Sequence, residues 1–148
     1  MPFRFRFQVL LEQREHLFEE AQAVLAEAER RHETLQDAEK LLHDRITGHH
    51  TFLKETMSRG VGVAQYLAFR HSLTALEQEL LSITKEVEAS ALEVEQKKQL
   101  LFESKRELRK VELLKAKEKD LYREREKKWE QKQLDEIALN KEFGKAKQ

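Results

Sequence analysis

The chain has 148 residues, of which 38% are charged, and its 28 basic residues balance its 28 acidic ones. It contains four glycines, one proline and no cysteine. This composition disfavours a rounded globular core, and it excludes a disulfide framework and a thiolate metal site. The balanced charge argues against a general nucleic-acid-binding protein, because such proteins are basic overall. Because no 18 consecutive residues are apolar and no secretory signal pattern is present, we expect no membrane insertion and no export by the usual route.

The chain begins with Phe3, Phe5 and Phe7 alternating with Arg4 and Arg6. A two-residue period over five residues is too short to make a sheet on its own. Two interpretations stay open for this segment. It is either an apolar lead-in that folds onto the following helices or an adhesive end that docks on a partner.

Apolar residues then recur at helical spacing and predict a first helix over about residues 7–57. The predicted stripe consists of Leu10, Leu17, Ala21, Val24, Ala28, Leu35, Leu42, Ile46 and Leu53. Its alanines allow a facing helix to come close. Gly48 costs about 1 kcal/mol relative to alanine, and the helix is predicted to continue through it.

A turn is predicted over about residues 58–63, because Gly60 and Gly62 can adopt the left-handed conformations that end a helix and reverse the chain. A second helix follows over about residues 64–142. Its stripe takes every third and fourth residue alternately: Tyr66, Phe69, Leu73, Leu76, Leu80, Ile83, Val87, Ser90, Val94, Lys97, Leu101, Ser104, Leu108 and Val111. Eleven of these fourteen residues are apolar, which is the period of a contact between helices and not of a strand.

The lengths of the two stripes favour pairing within one chain. If the chain reverses near Gly60, Phe7 is expected opposite Leu113, and the second stripe ends at Val111, where the first helix runs out. The predicted fold class is therefore all-α, with two long helices forming an antiparallel coiled-coil hairpin. The C-terminal helix is predicted to overhang its partner over about residues 114–142. Pairing within the chain also predicts a monomer when free.

The overhang has a mixed character. From Lys115 to the end it carries 11 basic and 8 acidic residues, and its large apolar side chains lie around the whole helix. They are Leu121, Tyr122, Trp129, Leu134, Ile137 and Leu139. Since no packing stabilises this helix alone, we expect it to fray and to become ordered on a partner. A nucleic-acid-binding helical arm is an alternative for this segment, although its interspersed carboxylates favour a solvated face or a protein partner.

The sequence predicts no catalytic residue, no cofactor and no metal site. His49 and His50 are adjacent and point in different directions on a helix, and no two histidines have the i, i+4 spacing of a metal pair. Glu12, His16 and Glu20 share a face, where exposed charge pairs are expected. Because a two-helix hairpin also lacks a cavity that excludes water, we expect a protein that is not an enzyme.

Four pieces of the sequence occur in an order and spacing typical of one protein family. They are the start FRFRFQVLL at 3–11 followed by Arg14-Glu15, the turn MSRG at 57–60 leading to Tyr66 and Phe69, Leu73 with Leu76-Glu77, and EQKQLDEIA at 130–138. Together they span nearly the full length and resemble the FliJ family of the bacterial flagellar type III export apparatus. The glycine turn and the last piece are the most specific parts.

The resemblance implies an antiparallel coiled coil similar to the stalk-forming part of the gamma subunit of F-type ATP synthases. It implies a non-enzymatic stalk or adaptor that binds the hexameric export ATPase (FliI-like), contacts the export-gate protein (FlhA-like) and handles export chaperones. Such a protein is expected in the cytoplasm, peripheral at the inner face of the cell membrane. The stalk of the homologous virulence-type secretion ATPase and a self-associating structural coiled coil are the alternatives.

Two groups of binding residues are hypothesised. The ATPase-binding group combines the aromatic start with the overhang: Phe3, Phe5, Phe7, Tyr122, Trp129, Lys132, Leu134 and Ile137. The gate-binding face of the family lies on both helices near the turn, where Leu42 and Leu76 keep the family's residue type and His49 occupies an aromatic position. Since Leu42 and Leu76 also lie on or beside the stripes, burial in the hairpin is a competing role for them.

Overall fold

The structure, a computed structural model, describes residues 2–146 and the side chains up to Lys145. Helix α1 spans Gln8–Ser58 and helix α2 spans Val63–Ala146. The two helices pack against each other, and the described residues contain no strand, so the predicted all-α helical hairpin is confirmed. Proline occurs only at position 2, so neither helix contains the residue that would break it.

The chain divides into two compact units. The turn unit is Glu20–Phe102. The terminal unit combines the chain up to Glu19 with the chain from Glu103 onward. Each unit has its own buried residues and its own contacts between α1 and α2.

In the turn unit the buried side chains are Ala28, Leu42, Leu53, Leu73 and Ser90. The pairing is antiparallel, because Arg31 contacts Glu93 whereas Phe52, further along α1, contacts Phe69. Every predicted stripe residue of α2 in this unit, from Tyr66 to Leu101, is buried or half-buried. The predicted contact face of α2 is therefore confirmed here.

The contact face of α1 agrees with the predicted one except at two residues. Leu17 and Val24 were predicted to lie on it but are each 38% exposed, whereas their neighbours Phe18 and Leu25 are half-buried. The buried side repeats every third and fourth residue through the polar position His32. Because the prediction followed apolar residues alone, it selected Leu17 and Val24 where the contact face has Phe18 and Leu25.

The turn depends on one glycine. Gly60 has a φ of 85°, in the left-handed region, and its N–H donates a 3.3 Å hydrogen bond to the carbonyl of Met57. Gly62 does not have a positive φ, so the prediction that both glycines are left-handed was wrong for Gly62. The carbonyl of Gly62 instead accepts a hydrogen bond from the N–H of Tyr66 at 3.1 Å, at the beginning of α2.

In the terminal unit the lead-in folds back onto the helices. Phe5 is buried with Leu11, Leu108 and Val111, and Phe3, Leu10 and Phe18 pack against this cluster. Phe7 and Leu113, which were expected to face each other, are both exposed. The aromatic side chain that covers this end of the core is therefore that of Phe5.

Contacts between the lead-in and α2 continue beyond the point where the overhang was expected to begin. Gln8 accepts a hydrogen bond from Lys115, Arg6 lies 3.6 Å from Glu118, and the rings of Phe3 and Tyr122 are 5.5 Å apart. Four of these six residues have charged or amide side chains, so the apolar pattern did not reveal these contacts. The continuously exposed part of α2 begins at Arg123 and is helical to Ala146.

Candidate partner-binding surfaces

The overhang surface, defined as residues 123–145 of α2, is exposed at every position. Trp129 is 63% exposed and Ile137 is 51% exposed, and Leu134, Leu139 and Phe143 are similarly open. Leu134 and Leu139 are separated by about 140° around the helix at 3.6 residues per turn. Since these side chains point in several directions, they suit a partner that surrounds the helix better than a single groove.

Tyr122 lies immediately before the overhang surface and is held on two sides. Its ring packs on Phe3, and its hydroxyl donates a 2.8 Å hydrogen bond to Glu126. This hydrogen bond to Glu126 raises the pKa of Tyr122, because loss of the proton would remove the donor and leave two negative charges side by side. Tyr122 therefore remains a hydrogen-bond donor at neutral pH.

The three aromatic residues of the lead-in have different environments. Phe5 is buried, Phe3 is half-buried, and Phe7 is exposed. The rings of Phe5 and Phe7 meet edge to face with centroids 6.0 Å apart, and the guanidinium of Arg6 lies 4.8 Å from the centroid of Phe7. Phe5 therefore belongs to the core, and Phe3 and Phe7 offer the accessible aromatic surface.

The predicted gate-binding residues lie in the turn unit. Leu42 is only 4% exposed, and Leu76 and His49 are half-buried. The ring Nδ1 of His49 lies 3.0 Å from the carbonyl oxygen of Arg45, one turn earlier on α1. Burial in the hairpin, the competing role for Leu42, is the one that the structure shows.

The decisive comparison is with protein families. The model of the family described as flagellar FliJ protein matches residues 3–147 of the chain. The chain belongs to the flagellar FliJ family. It is thus a component of the flagellar export apparatus and interacts with other components of that apparatus. No curated protein and no solved structure matches the chain.

This FliJ-family chain also exposes apolar side chains near the turn that sequence reasoning did not single out. Phe52, Met57, Val63 and Leu67 are all more than half exposed. The rings of Phe52 and Phe69 are 5.1 Å apart. The signal available in the sequence was that these residues are apolar but, apart from Phe69, lie outside the predicted stripes.

A polar contact lies inside the turn unit of this FliJ-family chain. The hydroxyl of buried Ser90 donates to the carbonyl of Val87 at 2.8 Å, so its lone pair can accept the Nδ1–H of His32 at 2.6 Å. Beside it, Arg31 contacts both carboxylate oxygens of Glu93 at 3.2 Å. Neither contact lies in an enclosed cavity, and both are contacts between α1 and α2.

No group of three acidic, histidine or cysteine side chains within residues 2–146 is arranged to hold a metal ion. Glu12, His16 and Glu20, which share a face in the sequence, are exposed. None of the described helices has an apolar stretch long enough to cross a membrane.

Proposed function

We propose that this FliJ-family protein is a non-enzymatic stalk that binds the hexameric export ATPase and promotes the assembly and activity of its ring. The observation that supports this most directly is the overhang surface. It is a helix of 23 residues, 123–145, without any buried position, and it is roughly 35 Å long at ~1.5 Å per residue. An exposed helix that carries tryptophan, leucine and isoleucine on several sides gains stability when a partner surrounds it.

The proposed ATPase contacts come from both ends of the chain. The overhang supplies Trp129, Lys132, Leu134 and Ile137, all of them exposed. At its base lie Tyr122, Phe3 and Phe7, with accessible ring surface, while Phe5 supports them from the core. A rod whose sides differ in charge and shape contacts the subunits of a ring unequally. Unequal contacts shift the subunits between conformations, because a ligand biases an equilibrium by its differential affinity.

We also propose that the turn unit contacts the export-gate protein and that the chain handles export chaperones. His49 and Leu76 are half-buried and have accessible atoms for such a contact, whereas Leu42 is buried inside the hairpin. The proposed location is cytoplasmic, at the inner face of the cell membrane where the export apparatus lies.

The experiment that tests the ATPase proposal measures ATP hydrolysis and ring assembly of an export ATPase with the full chain. Trp129→Ala combined with Ile137→Ala is expected to lower the stimulation at least about tenfold, because both side chains are large and open to a partner. The matched control is Val9→Ala with Leu81→Ala, which removes exposed apolar side chains elsewhere.

Undiminished stimulation by the Trp129 and Ile137 variant would refute the assignment of the overhang. A stable dimer in sedimentation would favour a self-associating coiled coil instead. Binding to RNA that weakens steeply with salt would favour a nucleic-acid-binding arm.

A further inference from the structure

Four cations of the terminal unit form a row on α2 that we name the basic ladder: Lys115, Lys119, Arg123 and Lys127. Each is four residues after the one before, so neighbours are about 6 Å apart along the axis and about 40° apart around it. Like charges at this spacing repel each other and disfavour the helix. The row is therefore not explained by helix stability.

Asp120, Glu124 and Glu130 are exposed carboxylates three residues away from Arg123 or Lys127, and three further carboxylates near the ladder contact other groups. These contacts are Glu112 with Arg109 at 3.7 Å, Glu118 with Arg6 at 3.6 Å, and Glu126 with the Tyr122 hydroxyl at 2.8 Å. In the part of the chain that the structure describes, Lys119, Arg123 and Lys127 have no ion pair. Lys115 donates to the neutral amide oxygen of Gln8 at 3.3 Å. The four ladder cations thus form no ion pair among the described residues and have their charged groups available to a partner.

The lead-in adds a fifth cation beside the ladder. An open groove is lined by Phe3, Arg4, Phe5, Gln8, Lys115 and Lys119. Its walls bring Arg4 together with Lys115 and Lys119 from two separate segments, and none of the described residues that line it is a carboxylate. The packing of Phe3 on Tyr122 holds the lead-in in this position. The groove therefore offers a concave positive surface with an aromatic wall.

We propose that the basic ladder and Arg4 bind an acidic helical segment of a protein partner, with carboxylates at every fourth residue. A helix of that pattern repeats its charges at the same interval of about 6 Å as the ladder. Asp120 and Glu124 each follow a ladder residue, about 100° around the helix, so the positive row is narrow. A narrow row matches a single row of carboxylates better than the broad negative surface of a membrane or a nucleic acid.

This inference goes beyond the proposed stalk function, because it names the charge pattern of what binds to the ladder, whose last two residues, Arg123 and Lys127, lie on the overhang surface. The test uses the full chain and a labelled alanine-rich peptide with glutamate at every fourth residue. Binding is followed by fluorescence anisotropy. Lys119→Glu with Arg123→Glu is expected to raise the Kd at least about tenfold, because it places repelling charges in the centre of the row. Lys141→Glu with Lys145→Glu makes the same charge change at exposed positions further along α2 and is expected to change the Kd less than about twofold.

Two further measurements separate this inference from its alternatives. A peptide of the same composition with its glutamates shuffled is expected to bind more weakly. Trp129→Ala with Ile137→Ala is expected to keep peptide binding, so loss of ATPase stimulation alone would affect only the stalk proposal.

Equal binding of both peptides would overturn the inference, as would equal binding by the Lys119 and Arg123 variant with unchanged helical circular dichroism. Tighter binding to phosphatidylglycerol vesicles or to single-stranded RNA than to the patterned peptide would also overturn it.

Discussion

His32 on α1 lies 2.6 Å from the hydroxyl of Ser90 on α2, and this hydrogen bond joins the two helices inside the turn unit. Ser90 is buried, and His32 is half-buried. A polar contact at a stripe position specifies alignment, because any shift leaves a buried donor without an acceptor. Apolar side chains alone specify the alignment less strictly, because one apolar contact can replace another when the helices slide.

Ser90→Ala is expected to lower the free energy of unfolding by about 1 kcal/mol, because the ring N–H of His32 loses its acceptor. His32→Leu is expected to cost less, since the Ser90 hydroxyl keeps its bond to Val87. Urea unfolding of both single variants and the double variant, followed by circular dichroism, measures the coupling. Ser72→Ala is the control at an exposed position. Equal stability of Ser90→Ala and Ser72→Ala would contradict the role given to this pair.

Phe5→Ala tests whether the lead-in belongs to the core of the terminal unit. Phe5 packs with Leu11, Leu108 and Val111, and replacing a buried phenylalanine by alanine is expected to cost about 3 kcal/mol locally. Amide hydrogen exchange is expected to accelerate at Leu11 and Val111. Val9→Ala serves as the control, because Val9 is 80% exposed. Unchanged exchange in Phe5→Ala would show that the lead-in adds no stability.

The contact face of α2 could be predicted from sequence because nearly all its residues are apolar. Its polar members, Ser90, Lys97 and Ser104, alternate with apolar stripe residues, so the helical period can still be recognised in the sequence. On α1 the polar residues Arg14 and His32 occupy positions of the contact face, whereas the apolar residues Leu17 and Val24 are exposed. A prediction based on apolar residues alone therefore assigns Leu17 to the contact face, where the structure has Phe18.

The binding surfaces were less predictable, for two physical reasons. Pairs such as Arg6 with Glu118 join residues far apart in sequence and leave no local pattern, so the base of the overhang was placed too early. Exposure also depends on the facing helix: Leu42 resembles a binding residue by type but is buried. The exposure of Trp129 and Ile137 could be predicted from sequence, because the first helix has no apolar stripe left to pair with this part of the second helix.

Two glycine-to-alanine substitutions are expected to have opposite effects on stability. Gly48 lies inside α1 and a Cβ there meets no atom, so Gly48→Ala is expected to stabilise by about 0.5–1 kcal/mol. Gly60 is equally open but has a φ of 85°, so Gly60→Ala is expected to destabilise by about 1–2 kcal/mol. Thermal unfolding of the two variants measures both changes. Destabilisation by Gly48→Ala would mean that α1 does not continue regularly through this position.

Glu126→Gln is expected to bring the pKa of Tyr122 down towards its ordinary value. The hydrogen bond to Glu126 raises this pKa by stabilising the neutral phenol, so the contribution of the bond is present below the ordinary tyrosine pKa. It is lost as the pH rises through the raised pKa. Tyrosinate absorbance measured during alkaline titration detects the shift, with Tyr66→Phe as background so that only Tyr122 titrates.

Glu124→Gln is the matched control, because it removes a nearby exposed carboxylate that does not bond to Tyr122. We expect this variant to titrate like the background chain. If Glu124→Gln lowered the pKa as much as Glu126→Gln, the cause would be the general negative charge of the helix and not the 2.8 Å contact. In that case Tyr122 would be free to rotate away from Glu126, and its ring would be held by Phe3 alone.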